Sequence, residues 1–410
     1  MHLAGKTVFL GPQEIAGFLD RCAIALASEG AEVIAFKKGF SSLHPEIKKN
    51  PRINWLFSGI TKKVSEKNSL IRFTTQFVLK LVALFIALKK ADACIFIGGK
   101  GLFNYPIDYI LFRIFQIRVI HMFVGTASRP RFMSGYSKKI LTPQKKQSKV
   151  LTRRLLKRTK RQRKRIQVIS RTANCVVENP LCGHFQPKPF VNFFKLGMPI
   201  ESNSSSAEEK NFSKTKTRIL HCPSRPEIKG TDQIINELTN EILDDLNAEL
   251  IVLTGVPHKT VIEEIKKCDF VIDQLYSDSP LAGFAAEAAS YGKVPIVGGY
   301  GWDELKKSLN PDDLPPSFLC KPSELIASVK YLCLNENKRN QLSTKLSKFL
   351  DQGEWSQANF AKKLSRIISN EIPNEWFVNP TSISYRYGMG LKKDECMRIL
   401  KEMDTFREDS

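Results

Sequence analysis

Two cations stand four residues apart in the segment Arg218–Asp232, which reads RILHCPSRPEIKGTD. Arg225 and Lys229 follow a short apolar run that is typical of a buried strand. Gly230 and Thr231 come next, where a helix can begin with Thr231 as its cap. Positive side chains beside a helix N-terminus are suited to a diphosphate, whose charge they would stabilise. The alternative is an ordinary capped helix with solvated charges.

A second segment, Asp269–Tyr300, has the same arrangement of strand, loop and helix. Leu281, Gly283 and Phe284 lie in a glycine-containing turn that leads into a helix carrying Glu287. The first backbone N–H groups of a helix have no partner within the helix, so they can hold a phosphate. A carboxylate one turn further along can accept both hydroxyls of a ribose. The alternative is a surface glutamate on an ordinary helix.

The elements that position these residues form an α/β pattern. Two strand–loop–helix units in succession predict two helix N-termini at one edge of a parallel sheet, where α/β domains bind nucleotides and phosphates. The N-terminal half shows the same alternation, so we predict a second parallel sheet with helices on both faces. The predicted strands are Thr7–Leu10, Val33–Phe36, Ala93–Ile97, Val119–Phe123, Asn174–Val177, Val191–Leu196, Ile219–Cys222, Leu250–Leu253, Phe270–Ile272 and Pro295–Val297.

Composition divides the chain into domains. Residues 201–217 are polar, rich in Ser and without periodicity, which is typical of an interdomain linker. We therefore predict one α/β domain over 1–200, which contains a basic helix at 145–172, and a second over 218–352. Residues 353–410 are predicted to form a helical tail that packs back on the domains.

Taken together, ILHCPSRPEIKGTD and IDQLYSDSPLAGFAAEAASYGKVPIV resemble the C-terminal domain of GT-B glycosyltransferases. The resemblance is closest to glycosyltransferase family 4 of bacterial surface-polysaccharide synthesis. In that family a strand–loop–KG–helix precedes a GxxxxEA-type helix and a strand that rises to a glycine-rich turn. The resemblance covers Arg218–Tyr300 and is looser over the N-terminal half. It implies two Rossmann-like domains that face a central cleft.

The resemblance also implies a nucleotide-sugar donor and a hexosyl transfer that retains configuration. Arg225 and Lys229 would contact the diphosphate, and Glu287 the ribose. The residues it places at the donor are Arg225, Lys229, Gly230, Ser279, Leu281, Gly283, Phe284 and Glu287, with Thr254, Gly255 and Val256 near the base. Arg, Lys and helix dipoles can neutralise a leaving diphosphate, so we expect no metal. We expect no cofactor either, because the nucleotide-sugar is a substrate.

The chain departs from the family at one glutamate. The paired-glutamate motif has its first Glu eight residues before Glu287, and Ser279 stands there in this chain. The contact with the donor sugar is therefore assigned to the backbone or to Asp278. Catalytic residues are left unassigned.

The segment RVIHMFVGTASRPRF resembles the part of the family near the acceptor. Gly125, Thr126 and Arg129 are the acceptor-side candidates that it contains. His121 lies within a predicted strand, which favours a packing role over a catalytic one. The acceptor itself is expected to be a saccharide or a lipid-linked molecule.

The net charge of +22 is concentrated in one stretch of the chain. Between Tyr109 and Val177 there are 19 Lys and Arg and no Asp or Glu. Three interpretations stay open for the basic helix within it. It is a solvated charged face, a nucleic-acid site, or a patch for anionic lipid, which attracts each nearby Lys or Arg by about 1 kcal/mol. The absence of aromatic residues from 145–172 disfavours nucleic acid. The lipid-patch candidates are Arg153, Arg154, Lys157 and Arg158.

The most apolar stretch is Phe77–Leu88, which reads FVLKLVALFIAL. It contains Lys80, and its longest uninterrupted apolar run is far shorter than the roughly 20 residues that cross a bilayer. We predict a buried helix here, with a membrane-contacting helix as the alternative.

Bulk composition is that of a globular protein. The chain has 410 residues, 42% of them hydrophobic, which is enough for two or three domains. Its nine cysteines are scattered, without a CxxC pair, and are predicted to be reduced. The first apolar run, at Thr7–Leu10, is predicted to be a strand rather than part of a signal peptide. We expect a cytoplasmic protein, peripheral on the cytoplasmic face of the membrane.

The sequence leaves three candidate functions. The first is a glycosyltransferase that moves a sugar from a nucleotide donor to a saccharide or lipid-linked acceptor in cell-surface polysaccharide synthesis. The second is a GT-B-like epimerase or polyol-phosphate transferase, which would need an acid/base pair that the sequence does not clearly offer. The third is a basic nucleic-acid-binding protein.

Overall fold

A computed structural model describes residues 2–15, 17–37, 50–57, 69–103, 107–125, 127–130, 147–200 and 216–383. The chain divides into two compact units. Unit 1 comprises Met1–Arg129, Arg161–Pro199 and Gln357–Ile383, and unit 2 comprises Pro130–Lys160, Ile200–Ser356 and Ser384–Ser410. Most of the predicted linker and the end of the predicted tail lie outside the described residues, and the predicted domain bounds stay a prediction.

Unit 1 is built on one large sheet. Its strands are β1 (Thr7–Pro12), β2 (Glu32–Phe36), β3 (Ile53–Leu56), β4 (Ala93–Ile97), β5 (Arg118–Phe123), β6 (Cys175–Glu178), β7 (Phe190–Asn192) and β13 (Phe377–Val378). They lie in the order β13-β7-β6-β5-β4-β1-β2-β3. Every neighbouring pair is parallel except β13 and β7. The near-continuous burial of β1, β4 and β5 is what a parallel sheet covered on both faces requires.

Helices cover both faces of this sheet. They are α1 (Phe18–Ser28), α2 (Ser69–Lys90), α3 (Ile107–Ile114), the part of α4 (Gln147–Thr172) from Arg161 onward, α5 (Phe193–Leu196) and α14 (Gln357–Ser369). One core cluster joins the strand residues Phe9 and Phe96 to Ala83 of α2, Phe112 of α3 and Ile166 of α4, so these three helices pack on the same face. The helix of the predicted tail, α14, packs instead on α1, with the rings of Phe18 and Phe360 6.1 Å apart.

The prediction of a buried apolar helix is wrong for one face of α2. Leu79, Ala83 and Ala87 are buried in the core, whereas Val78 and Phe85 on the opposite face are exposed. Apart from Lys80, the stretch Phe77–Leu88 is apolar on every face of the helix, and only one stripe of it packs against the sheet. Among the described helices, the α2 segment 71–90 is the one long and apolar enough to cross a membrane by length and composition.

The predicted strand Val191–Leu196 is also corrected. Strand β7 ends at Asn192, and Phe193–Leu196 form the short helix α5. The reason is a local cap, because the side-chain oxygen of Asn192 accepts a hydrogen bond from the backbone N–H of Phe194 at 3.0 Å. The prediction Ala93–Ile97 is confirmed residue for residue.

Unit 2 contains a second, fully parallel sheet. Its strands are β8 (Thr217–His221), β9 (Ala248–Val252), β10 (Phe270–Gln274), β11 (Val294–Gly298) and β12 (Phe318–Cys320), in the order β12-β11-β10-β8-β9. Its helices are α6 (Pro226–Lys229), α7 (Thr231–Glu237), α8 (Asn240–Asp245), α9 (His258–Lys267), α10 (Gly283–Ser290), α11 (Trp302–Lys307), α12 (Leu325–Leu334) and α13 (Glu336–Asp351). The α9 and α10 side chains Ile265 and Ala288 pack on Leu220 and Val271 of the sheet. The structure thus contains two α/β units, each with a largely parallel sheet.

Candidate functional site

The two motifs meet at the carboxyl ends of β8 and β10. These strands are direct neighbours, and β8 pairs with β9 on its other side. After β8 the chain adds β9 on one side of it and then β10 on the other side. The direction in which strands are added therefore reverses between β8 and β10. Ligands of open α/β sheets bind outside the strand ends at such a reversal.

Lys229 is held at this edge by an ion pair. Its Nζ lies 3.0 Å from Oδ1 of Asp273, whose side chain is fully buried at the end of β10. The carbonyl of Lys229 accepts a hydrogen bond from the N–H of Leu275 at 3.0 Å. This bond fixes α6 to the loop that follows β10. The second carboxylate oxygen of Asp273 is buried and has no hydrogen-bond partner in the described parts of the chain. Asp273 could not be predicted from the sequence, because a single acid at a strand end has no distinctive spacing.

Gly230 is required where α6 meets α7. It has φ +79°, and a Cβ there would lie 3.0 Å from the ring of Tyr276 and 3.1 Å from the Leu275 side chain. Gly230 is also the residue that precedes α7, so Thr231 is the first helical residue and not the cap that the sequence predicts. The Thr231 hydroxyl instead lies 2.9 Å from Nε2 of His221.

His221 joins β8 and β10 to α7, a role that was not predicted from the sequence. Its Nδ1 lies 2.7 Å from the carbonyl of Ile272, so Nδ1 donates and Nε2 accepts from the Thr231 hydroxyl. Burial lowers the pKa of His221, which is consistent with the neutral ring that these partners require. A buried histidine at the end of an apolar strand resembles a packing residue in sequence, which is why it was not singled out.

Arg225 lies on the solvent side of the same edge. It precedes α6, and its side chain is exposed. Lys229 is largely buried and paired, so the two predicted cations differ in setting. The structure therefore provides one fixed cation and one exposed cation four residues apart.

The start of α10 lies after β10, as the sequence predicts. Leu281 is buried in the core, whereas Gly283 is exposed with φ +40° and open space around its Cβ position. The carbonyl of Ala282 accepts from the N–H of Ala285 at 2.8 Å, which closes the first turn. Within the described chain, the N–H groups of Gly283 and Phe284 donate to no backbone acceptor. Two donors at a helix N-terminus are thus left for an anion.

Glu287 is paired with a histidine that the sequence analysis did not select. Oε1 of Glu287 lies 2.5 Å from Nε2 of His258, the first residue of α9. Burial raises the pKa of the Cys222 thiol, which directly follows β8, and the Glu287 carboxylate raises it further. The residues predicted near the base lie just before α9: Thr254 and Gly255 are exposed, and Val256 packs against the core. The loop after β9 is thereby tied to α10.

Ser277 organises the loop that contains Ser279. The buried Ser277 hydroxyl donates to the carbonyl of Ser279 at 2.7 Å and accepts from its N–H at 3.0 Å. The N–H of Ser277 donates to Gly298 at 2.8 Å, so the loop is fixed to β11. Asp278 beside it is buried and Ser279 is partly exposed. Ser279 therefore lies in a short, internally bonded turn.

The acceptor-side candidates lie in unit 1. Gly125 is exposed with φ +66°, and Thr126 lies outside the described residues. Arg129 is buried, and its carbonyl accepts from the Gln162 amide at 2.9 Å. His121 is fully buried between Tyr109 and the carbonyl of Gly98, which confirms the predicted packing role.

The predicted lipid patch lies on α4. Arg154, Lys157 and Arg158 are exposed, and the side chain of Arg153 is outside the described part of the chain. No group of three or more His, Cys, Asp or Glu residues that could share a metal ion occurs among the residues that the structure describes.

Solved structures that are similar in fold to this chain include glycosyltransferases. HepE from Anabaena, solved with UDP and glucose, matches with a TM-score of 0.53 at 12% identity over 89% of this chain and 99% of its own. A glycosyltransferase from Rickettsia africae matches with a TM-score of 0.51 at 12% identity over 90% of this chain and 99% of its own. No protein-family model matches the chain, and no curated protein sequence does. The chain has the mixed α/β fold of the GT-B glycosyltransferases.

Proposed function

We propose that this protein is a glycosyltransferase that transfers a sugar from a nucleotide-sugar donor to a saccharide or lipid-linked acceptor. The observation that carries the proposal is the convergence, at one strand reversal, of the fixed Lys229, the exposed Arg225, the open N-terminus of α10 and Glu287. The complex of HepE with UDP and glucose supports a nucleotide-sugar donor for this fold. The sequence resemblance to family 4 supports a role in cell-surface polysaccharide synthesis.

Each group has a part in the reaction that we propose. The bond between the sugar carbon and the diphosphate oxygen breaks, the acceptor hydroxyl oxygen bonds to that carbon, and the hydroxyl proton passes to the oxygen of the departing diphosphate. Lys229, Arg225 and the N–H groups of Gly283 and Phe284 take up the charge of the leaving diphosphate. Glu287 accepts the ribose hydroxyls. We propose a hexosyl transfer that retains configuration and needs no metal, in a cytoplasmic protein that is peripheral on the membrane.

A donor screen tests this function. Purified protein is incubated with UDP-, GDP-, CDP- and ADP-linked hexoses, and release of the nucleoside diphosphate is measured with and without an acceptor extract of lipid-linked saccharides. We expect release from one donor class, stimulated by acceptor. Arg225→Ala should lower the rate about tenfold or more, since a charge-assisted hydrogen bond contributes about 1.5–3 kcal/mol.

The matched control is Lys307→Ala, which removes an exposed cation paired with Glu304 elsewhere in unit 2. Its rate should equal that of the wild type. Equal rates for wild type and Arg225→Ala would remove the donor-site assignment. No release from any of the four donor classes would count against the transferase.

A further inference from the structure

An apolar stripe runs along the outward face of α2. Val78, Leu81, Val82 and Phe85 follow the spacing i, i+3, i+4, i+7, so they share one face of the helix. That face is exposed, with 54% of Val78 and 66% of Phe85 accessible. The core contacts of the helix are made by a different stripe, which includes Ala83. A contiguous exposed apolar surface of this kind marks an interaction site.

The neighbouring helix α3 has a second exposed apolar stripe. Ile107, Ile110 and Ile114 follow the spacing i, i+3, i+7 and are all exposed, Ile114 by 68%. The two helices lie side by side, since the rings of Phe77 and Phe103 stand 6.0 Å apart just before α3. Both pack on the same face of the sheet through one core cluster, so their outward faces point to the same side of unit 1.

The charged side chains that are exposed on α2 and α3 are positive. Helix α2 contains no acid, and Arg72, Lys89 and Lys90 on it are exposed. The one acid of α3, Asp108, is buried and accepts from the N–H of Leu102 at 2.7 Å.

The third helix on this face of the sheet, α4, adds further cations. Within unit 1 its exposed side chains include Arg163 and Lys164. Arg113 on α3 is exposed as well. The combined surface is apolar at its centre and cationic around it.

We propose that the outward face of α2 and α3 docks unit 1 onto a bilayer that contains anionic lipid, lying in the interface without crossing it. The apolar stripes would enter the acyl boundary while the surrounding cations contact anionic head groups. Helix α2 stays on the surface because Leu79, Ala83 and Ala87 hold it to the core of unit 1. A symmetric second copy fits this surface less well, because a two-fold dimer would bring the same cations together. The proposal does not depend on the transfer reaction.

Vesicle binding by the full chain tests the proposal. We expect binding to vesicles of phosphatidylcholine with phosphatidylglycerol, measured by cosedimentation, to weaken with added salt but not to vanish. Leu81→Gln with Phe85→Gln should lower the affinity at least about tenfold, because two exposed side chains no longer leave water for the bilayer. The matched control is Leu334→Gln, which changes an apolar residue of unit 2 that is 64% exposed. It should bind as the wild type does.

A second readout remains informative if the double variant fails to fold. The tryptophan fluorescence that Phe85→Trp adds to that of the wild type should shift to the blue with anionic vesicles. The fluorescence that Leu334→Trp adds should not shift. An alkaline carbonate wash should release the bound protein. The proposal is overturned by no binding of the wild type, by wild-type binding of the folded double variant, or by resistance to carbonate, which indicates a spanning helix. It is also overturned by a lipid-free dimer that the double variant abolishes.

Discussion

The carboxyl edges of the two sheets use polar residues in opposite ways. At the edge of the unit 1 sheet, His121 and Glu178 are fully buried and bonded to neighbouring protein groups. At the edge of the unit 2 sheet, Arg225 is exposed, and Glu287 is partly exposed beside His258. Polar groups that satisfy one another hold a fold in one arrangement, whereas a ligand needs groups that solvent can reach. The difference is consistent with the donor site that we propose in unit 2 and with a buried structural network in unit 1.

The buried groups of unit 1 have strongly shifted acidities. Burial lowers the pKa of His121 to about 3 and raises the pKa of Glu178 to about 8. Glu178 is bonded to the N–H of Asn179 at 2.9 Å and to the Gln186 amide at 3.1 Å. Near neutral pH both side chains are mostly uncharged, which suits a network without solvent.

Unit 2 also has buried polar residues, and these support the exposed polar residues at the same sheet edge. His221 joins β8, β10 and the start of α7, and Asp273 holds Lys229. These residues fix the backbone from which Arg225 projects. In the function that we propose, such support would hold Arg225 in place before the donor binds.

The largest effect is expected from breaking the Lys229 ion pair. Lys229→Ala leaves the Asp273 carboxylate buried without its cation, which costs about 3–5 kcal/mol when a buried pair loses one partner. The measurement is chemical unfolding of the full chain, followed by a probe in unit 2. Adding Asp273→Asn should restore most of the lost stability without restoring nucleotide affinity. A single variant as stable as the wild type would show that the pair does not support the site.

The pH dependence of the free energy of unfolding tests whether Glu178 is uncharged in the folded protein. The unfolded chain releases this proton near pH 4.5 and the folded chain near pH 8, so the folded state binds more protons between these values. Stability contributed by Glu178 is therefore complete below about pH 4.5 and is lost as pH rises through about 8. The glutamine side chain of Glu178→Gln cannot ionise. From pH 5 to 8 the free energy of unfolding of the variant should therefore rise relative to that of the wild type by on the order of 1 kcal/mol per pH unit.

Thermal unfolding of the wild type and of Glu178→Gln from pH 5 to 8 measures this difference in stability. Glu371→Gln is a control, because Glu371 is an exposed acid of unit 1. Its profile should run parallel to that of the wild type. A Glu178→Gln profile that also ran parallel would mean that Glu178 is ionised in the folded protein.

Sequence patterns predicted the sheets well and their buried polar residues poorly. Apolar runs bounded by glycine identified β4, and the tandem motifs identified the shared edge of β8 and β10. Asp273 and His221 were missed because their roles depend on partners 44 and 10 residues away in the chain. The exposure of α2 was missed because the apolar stretch Phe77–Leu88 has apolar residues on all its faces, which does not show how many faces are covered. A single side-chain cap, at Asn192, decided where β7 ends.

Binding of nucleoside diphosphates tests the central claim most directly. We predict that one of UDP, GDP, CDP and ADP raises the stability of the full chain, by about 2.7 kcal/mol at about 100 times its dissociation constant. Arg225→Ala should weaken this binding about tenfold or more. Glu287→Ala should weaken binding of the ribonucleotide far more than that of its 2′-deoxy or 3′-deoxy analogue, and His258→Ala controls for the lost contact with that histidine. No stabilisation by any of the four, or equal affinity in all variants, would contradict the account.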